Sequence, residues 1–513
     1  MKLFKFILGK VLGGLVAVSA ASLMIGVWKT RAIPEQLLVI AGVLLALLTG
    51  IVVLLTWTGR GKVRMTIGIA LAVLLMIVLI AGSVYIWQGL NTLGNITSSN
   101  TETVHMGIYM RNEDPRSFDD ISAAGYQYGI LQTVDREATD GALQQLNEKL
   151  NATVSTREYQ SPPELVDALL NGEVDAIVLN QAFLEAFADI PGFAEKMEKI
   201  REAVLQKVEV QIPEPENPVN PTTGGNTPNP DNPDTPDKPT QPDKPIVVPQ
   251  KSNAFSIYIS GIDTAGKVST RSRSDVNILA VVNPDSRQIL LVSTPRDYYV
   301  PLSISYGIPD KLTHAGIYGI NVSKSTLGML YGLNVDYHFK VNFSGFQKIV
   351  DALDGVNVYS QYAFGGEIGT DYYSFQKGMN TLNGHQALAF CRIRDAFADG
   401  DHQRGKNQMA VIKAVIDKAM SPKLLTNYTQ ILKAVEGSIE MSIPMDVLGD
   451  LVSKQLSNGG SWNVVSYSVT GTEDWKSTYS TSEVLWVMRP DYKTVNYAKQ
   501  LIQDVIDGKV VKP

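Results

Sequence analysis

The sequence predicts three transmembrane α-helices followed by two extracellular α/β domains. Three observations carry this: three long uncharged apolar runs near the N-terminus, a lopsided distribution of lysine and arginine about them, and a proline-rich segment dividing the rest. At 513 residues the chain is longer than one typical domain of about 150 residues. Its averages of 44% hydrophobic and 19% charged residues conceal zones of unlike composition, so each zone is read separately.

Residues 1–90 form the membrane region. The runs 11–28, 36–57 and 65–87 each reach the length of about 18 to 25 residues that a helix needs to cross roughly 30 Å of hydrocarbon. A cleaved signal peptide accounts for the first run alone, and that run is longer than an apolar h-region of about 7 to 15 residues. Lys2, Lys5 and Lys10 precede the first span, and Arg60, Lys62 and Arg64 separate the second from the third. Only Lys29 and Arg31 lie between the first two, and no basic residue follows the third until Arg111. By the positive-inside rule the N-terminus is cytoplasmic and everything after about residue 90 is outside. Cys391 is the only cysteine, so no intramolecular disulfide can form and the outer parts must hold together by packing.

Residues 105–211 read as an accessory α/β domain. "MGIYM", "YGIL", "ATVSTREY" and "VDAIVLN" have strand character, while "GALQQLNEKL" and "SPPELVDALL" have helix character, with Ser161 before two prolines as a helix start. The alternation predicts a parallel sheet covered by helices. "PPELVDALLNGEVDAIVLN" resembles part of one lobe of an extracellular solute-binding protein but lacks a ligand motif; a spacer or interaction domain is the favoured reading. Residues 212–250 are a linker: 12 of the chain's 25 prolines fall there, among Asn, Asp, Thr and Lys. Such a composition buries too little apolar surface to fold, and it makes residues 251–513 an independent unit.

That last unit opens with "AFSIYISGID", "DVNILAVVNP" and "RQILLVSTPRD". As an antiparallel meander these strands bring Asp263, Arg273, Asp275, Arg296 and Asp297 to one sheet edge. "LAFCRIRD" alternates, which predicts a strand with Arg392 and Arg394 on one face, where they repel unless an anion lies between them. "RGKNQMAVIKAVIDKAM" reads as a helix carrying Arg404 and Gln408 four residues apart on one face. One reading makes these arginines a solvated surface balanced by Asp395, Asp399 and Asp401. The other makes them a phosphate site, with Asp263 and Asp275 holding a hard divalent cation. A cation beside several guanidinium groups suits phosphoryl transfer, in which catalysis is mostly positioning and charge stabilisation.

"GID", "SRSDVNILAVVNP", "STPRD", "KLTHAGIYG", "FSGFQKIVDALDGVNV" and "LNGHQALAFCRIRD", followed by Arg404 and Gln408, resemble the LytR-CpsA-Psr family in order and over nearly all of the last unit. Three spans and an accessory domain are similar to its streptococcal capsule-type members, whereas the long linker and the loop between the two aspartates depart from them.

The resemblance implies an α/β/α sandwich with a central mixed sheet enclosing a lipid tail. It implies a phosphotransferase that moves a glycopolymer, such as capsular polysaccharide or a teichoic-acid-like polymer, from a polyprenyl-pyrophosphate carrier to peptidoglycan at the membrane's outer face. By the same resemblance Asp263 and Asp275 bind Mg²⁺ or Mn²⁺. Arg273, Arg296, Arg392, Arg394, Arg404 and Gln408 hold the pyrophosphate, and Asp263 or Asp401 is the base. The lipid bilayer and other capsule-assembly proteins are further partners. A hydrolase of the lipid pyrophosphate and a non-catalytic scaffold or regulator of capsule assembly are the alternatives. Nucleic acid is not expected as a partner, because the cytoplasmic parts are a short tail and a short loop.

Overall fold

The three apolar runs are helices: α1 (Lys2–Thr30), α2 (Glu35–Thr58) and α3 (Lys62–Thr97). Each contains a stretch long and apolar enough to cross a membrane. They pack on one another through Val16, Val52, Ala72 and Leu79, while Leu44, Leu47 and Ile77 face outward. The computed structural model describes residues 2–58, 62–97, 101–116, 118, 121–187, 190, 192–212, 253–262, 267–397, 400–419, 431 and 433–512. The expected linker, after Ile212, lies outside the described residues.

The first α/β unit comprises β1 (Thr101–Arg111), β2 (Gln127–Leu131), α4 (Arg136–Leu150), β3 (Ser155–Tyr159), α5 (Pro162–Leu170), β4 (Ala176–Asn180) and β5 (Ile200–Gln211). Ser161 caps α5 by accepting a hydrogen bond from Glu164 N, with proline in the first turn. The sheet order is β3-β2-β4-β1-β5. It is mixed, not parallel as expected: β2 is parallel to β3 and β4, but β1 is antiparallel to both β4 and β5. Helices α4 and α5 supply the crossovers that parallel strands need. Among the described residues between β1 and β2 the regular element is the 3₁₀ turn Ile121–Gly125, with no crossover helix to set β1 in the same direction.

The second unit begins with the expected meander, β6 (Phe255–Ile262), β7 (Ser274–Asn283) and β8 (Gln288–Thr294). It continues through α6 (Ile320–Tyr331), β9 (Tyr337–Asn342), α7 (Phe343–Ala352), α8 (Gly384–Arg392), α9 (Gly400–Ala419), β10 (Ile439–Met441), α10 (Met445–Asn458), β11 (Asn463–Ser468) and α11 (Tyr492–Ile506). The six-stranded sheet has the order β10-β9-β6-β7-β8-β11 and is mixed, with β9 parallel to β6 and β11 parallel to β8. Alternation sorts its residues between two layers. Leu279, Val281, Leu290 and Val292 pack with Leu327 of α6 and Leu501 of α11. Ile278, Ala280, Ile289 and Leu291 face Met409 of α9 and Leu451 of α10. Burial on both faces explains why these strands read as nearly continuous apolar runs.

The second unit is not independent of the first. Phe183 and Phe187 share one apolar core with Ala315, Ile317, Tyr318 and Leu485, and the Phe183 and Tyr318 rings meet edge-on at 5.8 Å. Aromatic pairs of this kind contribute about 0.5–1.5 kcal/mol beyond their buried area. The proline-rich sequence predicts a separable tether, but linker composition does not report whether the units it joins possess complementary apolar faces.

Candidate active site

Strand directions assemble the site. Ile262 ends β6 opposite Ser274 at the start of β7, across a bulge after Gly261. Asn342 ends β9 beside Ile262, Ser468 ends β11 beside Ser293, and Asn277 of β7 faces Thr294 of β8. One sheet edge thus receives the ends of four strands and the start of a fifth. Asp275 is the second residue of β7, and Arg296 lies two positions beyond β8.

Arg296 bridges two carboxylates. Its Nη1 donates to Asp275 Oδ1 at 3.1 Å and its Nε to Asp297 Oδ2 at 3.2 Å. Asp297 is buried and also pairs with Lys311 at 3.1 Å. Burial pushes the Asp297 carboxyl up, but Lys311 and then Arg296 outweigh it and hold the group below the usual carboxylate range. The guanidinium is therefore oriented by its neighbours before any ligand arrives.

The N-terminal part of α9 closes the other side. Gly405 approaches β8 so closely that a Cβ there would lie 3.0 Å from Ser293 Oγ. This contact sets Arg404 and Gln408 over the sheet edge, where they line one cleft with Asp275, Asn277, Thr294 and Arg296. Gln408 also lines a second cavity, an apolar space of about 370 Å³ between the sheet and helices α7 to α10. Ile259, Ala280, Phe346, Ile412 and Leu451 are among its walls, and Arg392 also lines it. Cys391 lines the same cavity, and burial pushes its thiol up to about 12.

The segment "LAFCRIRD" is not the strand expected. Residues 384–392 are the helix α8, begun by a capping box in which Asn383 and Gln386 satisfy each other's backbone N–H groups. Ile393 is extended, so Arg392 ends a helix while Arg394 lies in the following segment. The two do not share a strand face, and the repulsion expected between them has no structural basis. The Arg392 guanidinium lies 4.6 Å from the centre of the Phe343 ring. Arg394 is half exposed, with Nε 3.5 Å from Asp395 Oδ1.

The structure therefore gathers Asp275, Arg296, Arg404 and Gln408 at one cleft and places Arg392 on the apolar cavity that shares Gln408 with it. Arg273 is half-buried immediately before β7 and lines neither cavity. Asp263 lies outside the described residues, as does the side chain of Asp401, although position 401 is in α9. Sequence reasoning missed Asn277, Lys311 and Phe343. Asn277 stands two residues after Asp275 in a strand and so on the same face, a signal that period-2 reading could have used. Lys311 carries no local signal, because its partner Asp297 is reached only through tertiary folding.

A model of the LytR_cpsA_psr family matches residues 223–499. The chain is 33% identical over 223 residues to the polyisoprenyl-teichoic acid–peptidoglycan teichoic acid transferase TagU of Bacillus subtilis, covering 43% of this chain and 70% of that protein. It is 34% identical over 200 residues to the protein of the same name from Bacillus licheniformis, covering 39% of this chain and 63% of the relative, just under two thirds of its length. Among solved structures it is similar to B. subtilis TagV, with 23% identity and a TM-score of 0.43 over 51% of this chain and all of that one. It is also similar to TagT bound to LI-WTA, with 26% identity and a TM-score of 0.39 over 51% of this chain and 93% of that one.

Proposed function

The chain belongs to the LytR-CpsA-Psr family, and on that premise we propose that it transfers a glycopolymer from a polyprenyl-pyrophosphate carrier to peptidoglycan at the outer face of the cell membrane. The observation that carries this reading is the junction of the two cavities at Gln408. A cleft lined by Asp275, Arg296 and Arg404 adjoins an apolar space bordered by Arg392. A molecule with a long apolar tail and a pyrophosphate head matches that pair of environments.

In this reading the tail lies against Ile259, Ala280 and Ile412, while Arg296 and Arg404 present guanidinium forks to the phosphate oxygens. Arg392 and Gln408 hold the boundary between tail and head, with Arg273 and Arg394 contributing from the flanking segments. An acceptor hydroxyl of peptidoglycan attacks the sugar-linked phosphorus, and a new P–O bond forms as the bridging P–O bond breaks. Polyprenyl phosphate leaves, and Asp263 or Asp401 takes the hydroxyl proton. The arginines gain interaction strength as negative charge moves onto the leaving phosphate.

The cleft can take a hard divalent cation through the Asp275 carboxylate, and none of its lining residues carries sulfur, whereas Asn277 Oδ1 and Thr294 Oγ1 are engaged by the hydroxyls of Tyr258 and Tyr331. Among the described residues no cluster of three His, Cys, Asp or Glu side chains is poised for a metal. One or two carboxylates suffice for Mg²⁺, and Asp275 with Asp263 would supply them. Such an ion would neutralise phosphate charge in the transition state.

The test uses the full chain in lipid nanodiscs with a labelled lipid-linked donor and peptidoglycan fragments, with and without Mg²⁺. Transfer that needs the cation and falls at least about a hundredfold in Asp275→Ala and Arg404→Ala is expected. Cleavage of the donor at the same rate without any acceptor would make the protein a hydrolase. No turnover under any condition would leave a scaffold.

A further inference from the structure

We propose that the first α/β unit is a positioning element of the active site, acting through Glu102 and Thr103 on the segment that carries Arg273 and leads into Asp275. The proposal rests on the functional reading above and gives that unit a role within it.

The two units join by backbone pairing as well as by their shared core. Thr103 N donates to Ser269 O at 3.0 Å, and Arg271 N donates to Thr103 O at 2.9 Å. Thr103 and Thr270 thereby form a parallel bridge outside the main sheets. These bonds hold residues 269–271, two positions before Arg273 and four before Asp275. The segment is clamped from its other side too. Gly316, in the turn Leu312–Tyr318, packs so tightly that a Cβ would lie 2.5 Å from Ser272 O and 3.0 Å from Ser274 N.

Glu102 fixes the clamp by charge. It is 2% exposed, and its carboxylate accepts hydrogen bonds from three groups of the second unit. Arg271 Nε donates to Oε2 at 3.0 Å, while Lys340 Nζ and Ile320 N donate to Oε1 at 3.2 Å each. Gly319, at φ 112°, leaves room for the carboxylate, since a Cβ there would come within 2.7 Å of Oε2. Arg271 also reaches Asp135 at 3.3 Å, at the start of α4. The two acids and two bases balance, so losing Glu102 alone leaves Arg271 and Lys340 buried with one carboxylate between them. Such an excess is relieved by moving residues 269–273 outward.

An arginine displaced by about 1 Å can cost a hundredfold in rate, because its forks then miss the charge that develops on phosphate. Ground-state binding of the carrier depends mainly on its apolar tail, whose cavity Glu102 does not line. Loss of the clamp therefore lowers kcat far more than it raises KM.

The experiment compares full-length wild type, Glu102→Gln, Glu102→Asp and Arg271→Met in nanodiscs. It measures transfer kinetics and amide hydrogen exchange across residues 267–274. Glu102→Gln is expected to lower kcat by about tenfold to a hundredfold with donor KM within about twofold, and to speed exchange in that segment. Glu102→Asp keeps the charge and should recover part of both. Arg271→Met leaves Glu102 with Lys340 and Ile320 N, serves as the second variant should Glu102→Gln fail to fold, and should show the same kcat loss. Wild-type kcat in the folded variants, or unchanged exchange at 267–274, overturns the proposal. If the wild type itself transfers nothing, the functional reading falls, and the exchange measurement alone upholds or overturns the clamp.

Discussion

Arg296 shows how one side chain of the cleft is oriented by its neighbours. Its bonds to Asp275 and Asp297 use two of the guanidinium donors, Nη1 and Nε, and Asp297 is itself anchored by Lys311. The folded-state value of Asp297 lies below its unfolded value, so its contribution to stability is present above the unfolded value. That contribution is lost only as pH falls through the lower, folded one. Mild acidification therefore leaves the Arg296 anchor in place. Asp297→Asn removes one charge from a buried pair and leaves Lys311 uncompensated, which should cost about 3 kcal/mol. Thermal unfolding of the purified protein would show a lower midpoint at neutral pH, and the gap to wild type should close only toward strongly acidic pH. A midpoint equal to wild type at neutral pH would mean that Lys311 finds another partner.

Helix α8 shows how a local pattern can mislead. Alternation across Cys391, Arg392, Ile393 and Arg394 has the period of a strand, yet the segment's conformation is decided earlier, at Asn383 and Gln386. The capping box satisfies the first free N–H groups, and the buried face of Ala387, Leu388 and Phe390 then packs the helix against its neighbours. The alternation spans only the helix end and the residues just after it. Asn383→Ala should destabilise the protein by about 1 kcal/mol, a loss measurable by urea unfolding. Because α8 positions Arg392 over Phe343, its fraying should also weaken donor binding. An unchanged unfolding midpoint would show that tertiary packing alone holds α8.

At the scale of the molecule, the second unit rests on the membrane helices. Asn95 of α3 bonds Glu436 at 2.8 Å, and Ile96 packs with Val435, Ile439 and Met441. On α10, Gly449 is pressed against the end of α1, where a Cβ would come within about 2.2 Å of Thr30 O. Leu448 and Leu451 of the same helix line the apolar cavity, so one helix touches both the membrane anchor and the space proposed for the carrier tail. The proposed orientation puts all of this outside. Lys377 is exposed and the native thiol is buried, so Lys377→Cys in intact cells should react with a membrane-impermeant maleimide while Arg60→Cys should not. The reverse pattern would invert the topology.

The sequence by itself determined what depends on neighbouring residues. Three spans follow from length and apolarity, the β6–β7–β8 meander from buried runs separated by turns, and the meeting of Asp275 with Arg296 from the directions those strands must take. Of the charged residues singled out in the sequence, Arg296 and Arg404 share one cleft, while Arg394 pairs with exposed Asp395. Tertiary structure alone decided the rest. The antiparallel setting of β1, the Lys311 partner of Asp297, and the insertion of Glu102 between Arg271 and Lys340 join residues far apart in the chain. Periodicity encodes which face a residue takes within its own helix or strand. It does not encode which distant face will cover it, because that is set by the shape and charge complementarity of whole elements once they are packed.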